Sequence, residues 1–148
     1  MSGTTIREAK ESDANTVIEL LEQLFERGIP SAYSRDDALK VFKKLLTHGP
    51  WKIIVAEEGH TVQAFLTIYF LELMRFGKRG YIEDMIVDKR LRGSGVGTRL
   101  MEYAESLARR EGCTHLALDT GFYREQARNF YRKVGFQETA IALRKDLV

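Results

Sequence analysis

Apolar residues recur every three to four positions in four segments of the chain, which is the spacing of amphipathic helices. Ser12 and Ser34 precede the first two segments as candidate N-caps, and Asp37 completes a capping-box pattern with Ser34. Glycines follow the segments, as expected after the end of a helix. The predicted helices lie between Ser12 and Gly28, Ser34 and Gly49, Gly95 and Gly112, and Tyr123 and Gly135.

Between these helices, β-branched and aromatic residues concentrate in short segments bounded by turns, which is typical of strands. Glu58-Gly59 separates two of them and indicates a hairpin. The order is strand, two helices, three strands, helix, strand, helix, strand. It predicts an α/β fold with a mixed central β-sheet that about four helices flank on both faces. The predicted strands are Thr4–Arg7, Lys52–Glu57, Thr61–Leu71, Tyr81–Val87, Thr114–Thr120 and Phe136–Leu147.

The composition is that of an ordinary globular protein, with 44% hydrophobic and 30% charged residues. A chain of 148 residues suits one domain. It contains two prolines and no low-complexity run, which argues against a long linker. We therefore expect residues 1–148 to form a single domain.

Charge and cysteine content exclude several classes of protein. A net charge of +2 is too small to indicate nucleic-acid binding, and scattered basic residues are typical of a solvated surface. The single cysteine, Cys113, allows no internal disulfide, and no Cys/His cluster predicts a metal site. Neither a signal peptide nor an apolar run of about 20 residues is present, so no membrane contact is expected. These features predict a soluble cytoplasmic protein.

The segment Arg92-Gly93-Ser94-Gly95-Val96-Gly97-Thr98 joins a predicted strand to a predicted helix and is rich in glycine. Glycines permit positive φ angles and let a ligand approach the backbone. The following helix adds free N–H groups and the positive end of its dipole, so the turn suits a pyrophosphate. It lacks the G-x-G-x-x-G spacing after a first strand that binds dinucleotides, and it lacks the Lys-Ser or Lys-Thr pair of a P-loop.

Arg92 to Gly97 resembles the R-x-x-G-x-G/A signature of the GNAT (GCN5-related) N-acetyltransferases. The strand from Glu83 to Val87 and the run from Asn129 to Phe136 also match the family's pattern, in the same order. The resemblance covers most of the chain. It implies a single-domain GNAT-like fold and an N-acetyltransferase, an acyltransferase that takes the acetyl group from acetyl-CoA, releases coenzyme A and needs no metal.

The resemblance also assigns residues to the cofactor. Met85, Ile86 and Val87 are expected to contact pantetheine through backbone atoms, where two neighbouring strands of the family splay apart. The seven residues of the glycine-rich turn are expected to hold the pyrophosphate. Asn129 resembles the family's asparagine that hydrogen-bonds the cofactor from the predicted helix that contains it; the alternative is a solvent-facing helix residue.

Two residues are candidates for proton transfer. Tyr131 occupies the position of the family's general acid, and a phenol is neutral at about pH 7 and donates to a leaving thiolate. The alternative for Tyr131 is a core tyrosine. Glu83 matches the family's candidate base for the amine, with Asp84 on the opposite face of the strand. The alternative for Glu83 is a structural ion pair.

Two alternatives to an enzyme that transfers the acetyl group directly fit the sequence less well. Cys113 lies at a helix-to-strand corner away from the motifs, so a buried small side chain is favoured over a nucleophile. Direct transfer in a ternary complex is therefore expected. A non-catalytic acyl-CoA-binding module or regulator is the alternative to an enzyme, and the presence of both Tyr131 and Glu83 favours the enzyme.

No motif identifies the acceptor, which we expect the two N-terminal helices, the loop Gly28–Ser34 and the loop Leu71–Gly80 to recognise. Four acidic residues suit a cationic amine, such as a polyamine, an aminoglycoside or a lysine side chain, unless they are ordinary surface charge. Dimers are frequent in the family, and the apolar segment Phe65–Leu71 is either a dimer contact or core. The four acidic residues are Glu22, Glu26, Glu72 and Glu83.

Overall fold

The computed structural model describes residues 3–148. Their elements follow the predicted order as far as the fourth helix, with two additional 3₁₀ turns, Glu11–Asp13 and Lys89–Leu91. The chain divides into two compact units; the first ends at Ala117 and the second begins at Leu118. A single domain remains a prediction. The helices are α1 (Ala14–Glu22), α2 (Arg35–Thr47), α3 (Val96–Arg110) and α4 (Glu125–Lys133), and the strands are β1 (Thr5–Glu8), β2 (Trp51–Glu58), β3 (Thr61–Leu73), β4 (Gly77–Val87) and β5 (His115–Leu118).

The five strands form one sheet in the order β1-β2-β3-β4-β5. β1 to β4 pair antiparallel with their neighbours, and β5 joins the sheet after α3. The pairing skips Gln63 in β3 and Glu83 in β4, so each is the extra residue of a β-bulge. The mixed sheet with its four helices confirms the predicted fold class.

The core of the first unit lies on both faces of β3. Phe65 packs into a cluster beneath α1 and α2, while the alternate residues Leu66 and Ile68 are fully buried on the opposite face. Burial of each such side chain contributes about 1.5–3 kcal/mol. The segment Phe65–Leu71 is therefore mainly core, with only Leu71 exposed, and it is no evidence for a dimer contact. The cluster contains Val17, Leu20, Phe42, Ile53, Val55, Val62, Phe65 and Ile86.

The two predicted N-caps have different outcomes. The Ser34 hydroxyl accepts a hydrogen bond from the Asp37 N–H at 3.3 Å, as predicted for α2. The prediction for Ser12 is wrong, because α1 begins at Ala14 after a 3₁₀ turn. Asp13 closes that turn by accepting from the Lys10 N–H at 2.8 Å.

The second unit contains α4 and the C-terminal residues. Gly135 follows the helix in the left-handed region, at φ 104°. The predicted strand Phe136–Leu147 is wrong: residues 137–148 form neither helix nor strand and are exposed. The sequence favours an extended backbone there, but a strand also needs a hydrogen-bonding neighbour.

No helix in the described part of the chain is long and apolar enough to cross a bilayer.

Candidate active site

The glycine-rich turn lies between β4 and α3. Gly93 and Gly95 adopt the left-handed conformation, at φ 86° and 93°. A Cβ atom on either would meet no other atom within 4 Å, so backbone conformation, and not crowding, requires glycine there. α3 begins at Val96, and no side chain among residues 3–148 caps its N-terminus. Its first N–H groups are therefore oriented to receive an anion.

The other residues of the turn combine anchoring with exposure. Val96 is buried and fixes the first turn of α3 in the core. Gly97 is half-buried, whereas Ser94 and Thr98 are exposed. The Arg92 side chain is 46% exposed. The seven predicted pyrophosphate ligands thus form a continuous segment of loop and first helical turn, in which Val96 is the buried residue.

The end of β4 is open on one side. Residues 85–87 pair with β3, but β5 covers only the beginning of the other edge. Thr114, just before β5, donates a backbone hydrogen bond to the Lys78 carbonyl at 2.8 Å. Four residues of strand advance about 13 Å, so β5 ends before the level of residues 85–87. The edge of β4 is therefore left without a β5 partner where pantetheine is expected.

Glu83 is the bulged residue of β4 and is exposed. The pairing changes from Thr67 opposite Asp84 to Ile68 opposite Ile82, which leaves no residue opposite Glu83. A bulge bends its strand and re-aims side chains, so simple alternation does not describe this position. The predicted base therefore lies at an irregularity just before the open edge of β4.

Asp84 and Thr67 form a pair that the sequence interpretation missed. The Thr67 hydroxyl accepts from the Asp84 N–H at 3.1 Å and donates to the Asp84 carboxyl at 3.3 Å. Burial raises the pKa of Asp84 above its ordinary value, against the opposing effect of the Thr67 hydrogen bond. The threonine within an apolar strand was the available signal, but only the register places it opposite Asp84.

Three aromatic side chains and one arginine lie beside the Thr67–Asp84 pair in the register of the sheet. Trp51, Tyr69 and Tyr81 are opposite one another in register, with ring centroids 4.5 and 5.5 Å apart. The Arg79 guanidinium carbon lies 4.9 Å from the centre of the Tyr81 ring. We call these four residues the aromatic row. They lie on three different strands, so the sequence alone did not group them.

Two of the four acidic residues assigned to an acceptor pocket are engaged elsewhere. Glu22 accepts from the Tyr33 hydroxyl at 2.7 Å and from the Arg35 guanidinium, whose hydrogen bond lowers the pKa of Glu22. Glu26 lies 3.8 Å from Arg92. Each of these two carboxylates faces an arginine that offsets its charge, and the anionic pocket stays a prediction.

The second unit holds Tyr131 and Asn129 on α4. Tyr131 is half-buried, with its ring 5.4 Å from Phe130 and 5.9 Å from Phe136. Asn129 is exposed, and its carbonyl oxygen accepts from Arg132 at 2.9 Å. Residues two apart do not share a face of a helix, so the two side chains leave α4 in different directions.

Cys113 is half-buried, and burial raises the pKa of its thiol. A thiol becomes a nucleophile only as the thiolate, so this environment opposes such a role. Among the described residues, no group of three or more His, Cys, Asp or Glu side chains has the arrangement of a metal site.

Residues 15–136 match the family model described as Acetyltransferase (GNAT) family. The chain belongs to this family. This GNAT protein is 28% identical to a thialysine N-epsilon-acetyltransferase of Mus musculus, over 93% of this chain and 86% of that protein. It is 31% identical to a glucosamine 6-phosphate N-acetyltransferase of Trypanosoma brucei brucei, over 96% and 95% of the two chains.

The fold of this GNAT protein is also similar to solved structures. One is a crystal structure of a transcriptional regulator from Bacillus halodurans C-125, with a TM-score of 0.87 and 26% identity over 97% of this chain and 99% of that chain. The family and its enzymatic relatives identify the chain as an N-acetyltransferase that uses acetyl-CoA. The left-handed glycines and the uncapped start of α3 fit the pyrophosphate of that cofactor.

Proposed function

We propose that this GNAT enzyme transfers the acetyl group directly from acetyl-CoA to a primary amine, with both substrates bound at once. The observation that carries the proposal is the end of β4, where bulged Glu83 precedes an open strand edge and the glycine-rich turn. One short segment thus offers a carboxylate for the amine, backbone groups for pantetheine and N–H groups for pyrophosphate.

For the cofactor we propose the residues that the sequence indicated. Residues 85–87 hydrogen-bond the pantetheine amides, which add to β4 as an extra strand would. Residues 92–98 hold the pyrophosphate through backbone N–H groups and the Arg92 guanidinium. Asn129 hydrogen-bonds the cofactor from α4. When bound, acetyl-CoA supplies an acetyl group activated as a thioester.

We propose Tyr131 as the general acid. Transfer forms a bond between the amine nitrogen and the acetyl carbon and breaks the bond from that carbon to sulfur. Tyr131 donates its phenolic proton to the departing thiolate, which leaves as the free thiol, and the phenolate regains, through solvent, the second proton that the nitrogen loses as it becomes an amide. A positioned acid of this kind contributes roughly a hundredfold to ten-thousandfold.

We propose Glu83 as the group that accepts the proton of the amine. An alkylammonium ion has a pKa of about 10.4 and is mostly protonated at neutral pH, so the attacking nitrogen must lose a proton. Glu83 is exposed at the bulge, which lets its carboxylate act directly or through a water molecule and return the proton to solvent.

The environment of Cys113 supports direct transfer over an acetyl-cysteine intermediate. The chain has no other cysteine, and burial raises the pKa of this one. A protonated thiol is a poor nucleophile at neutral pH. Acetylation of the amine therefore proceeds in one step from the thioester.

The acceptor is, in our proposal, a small-molecule amine or a lysine side chain. Similarity to enzymes named for thialysine and for glucosamine 6-phosphate supports this class, because both names specify a small molecule with an amino group. The pairing of Glu22 and Glu26 with arginines gives no support to a polycation as acceptor.

We also propose a homodimer in the cytoplasm. Ile141, Leu143 and Leu147 are 86%, 92% and 88% exposed, and several apolar side chains on one short segment are typical of a contact surface. The absence of any disulfide, with one cysteine in the sequence, suits a reducing compartment. Light scattering of the full chain tests the dimer, since a mass of 17.0 kDa would exclude it.

Coenzyme A release from acetyl-CoA, measured with a panel of amines, tests the proposed reaction. We expect one class of amine to stimulate release, and Tyr131→Phe to lower kcat by about a hundredfold or more with little change in the affinity for acetyl-CoA. Tyr103→Phe removes a phenolic hydroxyl from α3 and serves as the matched control, with near-normal kcat. Equal turnover by Tyr131→Phe and wild type would remove Tyr131 from the mechanism.

A further inference from the structure

Arg79 differs from the other half-buried arginine of the sheet. Arg7 binds two carboxylates, those of Asp13 and Glu57. Arg79 has no carboxylate within ion-pair distance in the described chain, and its buried Nε has no hydrogen-bond partner there. Its contact is the face of the Tyr81 ring. A buried N–H without an acceptor is costly, so Arg79 is a guanidinium that lacks its anion.

The register places Arg79 on the same face of the sheet as Asp84. The paired positions along β3 and β4 are Thr67 with Asp84, Tyr69 with Tyr81, and Leu71 with Arg79. Successive pairs on one face are about 7 Å apart. That face is the one that α1 and α2 cover further along, because Phe65 of β3 belongs to their cluster. The Asp84 carboxyl, the Tyr81 ring and the Arg79 guanidinium therefore follow one another along this face of the sheet, past the part that α1 and α2 cover.

We propose that the aromatic row binds the acceptor and that Arg79 binds an anionic group, a carboxylate or a phosphate, at the end of the acceptor remote from its amine. This inference rests on the proposed function. The amine lies toward Glu83 and the Asp84 pair, the body of the acceptor contacts the rings, and the anion pairs with Arg79. A guanidinium suits this task because its planar donors match a carboxylate or phosphate in pairs.

The same arrangement disfavours a polyamine. A second ammonium group would lie against Arg79 instead of an anion, and two like charges in a partly buried place repel each other. An amine with neither charge would leave the Arg79 N–H groups unpaired. The aromatic row thus selects among primary amines by what they carry at the other end, which is a basis for strong discrimination.

Matched pairs of acceptors test this proposal. L-lysine and cadaverine share a primary amine, and only lysine has a carboxylate; glucosamine 6-phosphate and glucosamine differ only in the phosphate. We expect wild-type enzyme to prefer the anionic member of at least one pair by roughly tenfold or more in kcat/KM. The pair that shows the preference distinguishes carboxylate from phosphate recognition.

Arg79→Gln should remove that preference and lower kcat/KM for the anionic acceptor by roughly tenfold or more. Turnover of glucosamine should be almost unchanged, and that of cadaverine should not fall, because its second ammonium group no longer faces a guanidinium. Arg110→Gln is the matched control, since Arg110 is an exposed arginine at the last position of α3. The inference is overturned if wild-type enzyme has equal kcat/KM for both members of each pair, or if Arg79→Gln lowers kcat/KM equally for both. The acetyltransferase assignment stands in either case. Acetyl-CoA binding without turnover of any amine overturns the proposed function and this inference with it.

Discussion

Two aspartates of the first unit show how differently one chain treats a carboxyl group. Asp13, at the start of α1, accepts hydrogen bonds from the Arg7 guanidinium at 2.8 and 3.0 Å and from the Lys10 N–H. Asp84, on β4, interacts with the neutral hydroxyl of Thr67. The arginine lowers the pKa of Asp13, whereas burial raises the pKa of Asp84. The Asp13 carboxylate thus has a cationic partner, whereas the partner of the Asp84 carboxyl is a neutral hydroxyl.

The difference separates a structural carboxyl from one on the working face of the sheet. Arg7 joins β1 to α1 and, through Glu57, to β2, so its charges hold the fold together. The Asp84 site lies next to the bulge and the aromatic row, where Arg79 likewise has no counter-ion among residues 3–148. A buried carboxyl with a raised pKa and an arginine Nε without an acceptor, on one face, are typical of a surface that completes its interactions with a ligand.

Removing Arg7 should cause the largest loss of stability. Arg7→Met keeps much of the aliphatic length but leaves Asp13 without its cation, and we expect about 1–3 kcal/mol of destabilisation, below the range for fully buried pairs because Arg7 remains partly solvated. Urea unfolding measures the change. Arg144→Met breaks the exposed pair with Asp146 and should alter stability by no more than about 0.5 kcal/mol. Equal effects of the two variants would contradict the structural role of Arg7.

Removing the Thr67 hydroxyl should cause an intermediate loss. Thr67→Val nearly conserves shape but leaves the Asp84 N–H and carboxyl without their partner, and we expect about 1–2 kcal/mol of destabilisation in urea unfolding. Thr67→Ser keeps the hydroxyl and provides the control for the pair. If the serine variant is less stable than the valine variant, methyl packing and not the hydrogen bonds determines the role of Thr67.

Removing the charge of Asp84 should have the smallest effect, and in the opposite direction. A raised pKa in the folded state means that ionisation of Asp84 costs stability, fully above the raised pKa and not at all below the ordinary value. Asp84→Asn should therefore stabilise the protein by up to about 1 kcal/mol at about pH 8, with no difference at about pH 3.

Asp13 supplies the contrasting pH dependence. Its pKa is lowered in the folded state, so its contribution is present above the ordinary aspartate value and is lost as the pH falls through the lowered pKa. Asp13→Asn should therefore destabilise near neutral pH, with a difference that shrinks in acid. Urea midpoints of both variants across this range measure the comparison, and parallel pH profiles would show that the two sites are not distinct.

Local signals predicted most of the fold. The hydroxyl of Ser34 needs only the N–H three residues on, and Gly95, Gly112 and Gly135 mark helix ends by conformations that glycine adopts readily. The predictions failed where a distant partner decides. Ser12 caps no helix, since α1 begins at Ala14 after a turn in which Asp13 binds both the Lys10 N–H and Arg7 of β1. Residues 137–148 are not part of the sheet and form no strand.

The candidate site shows the same division between features that local sequence predicts and features that depend on distant residues. The glycine-rich turn is a continuous motif, so its course was predictable from the chain. The bulge at Glu83, the Thr67 hydrogen bonds and the aromatic row depend on the register between strands, which no single segment specifies. The resemblance to a family indicated Tyr131 and Asn129, whose assigned roles remain predictions.

The half-burial of Cys113 has a practical consequence for enzymology on this protein. Thiol-reactive dyes follow the release of coenzyme A, and any reactive cysteine of the enzyme consumes the same dye. Here each chain carries one thiol, and its raised pKa keeps it protonated and slow to react near neutral pH. Continuous assays at high enzyme concentration should therefore have a small, slowly developing background, so that weak acceptors remain measurable.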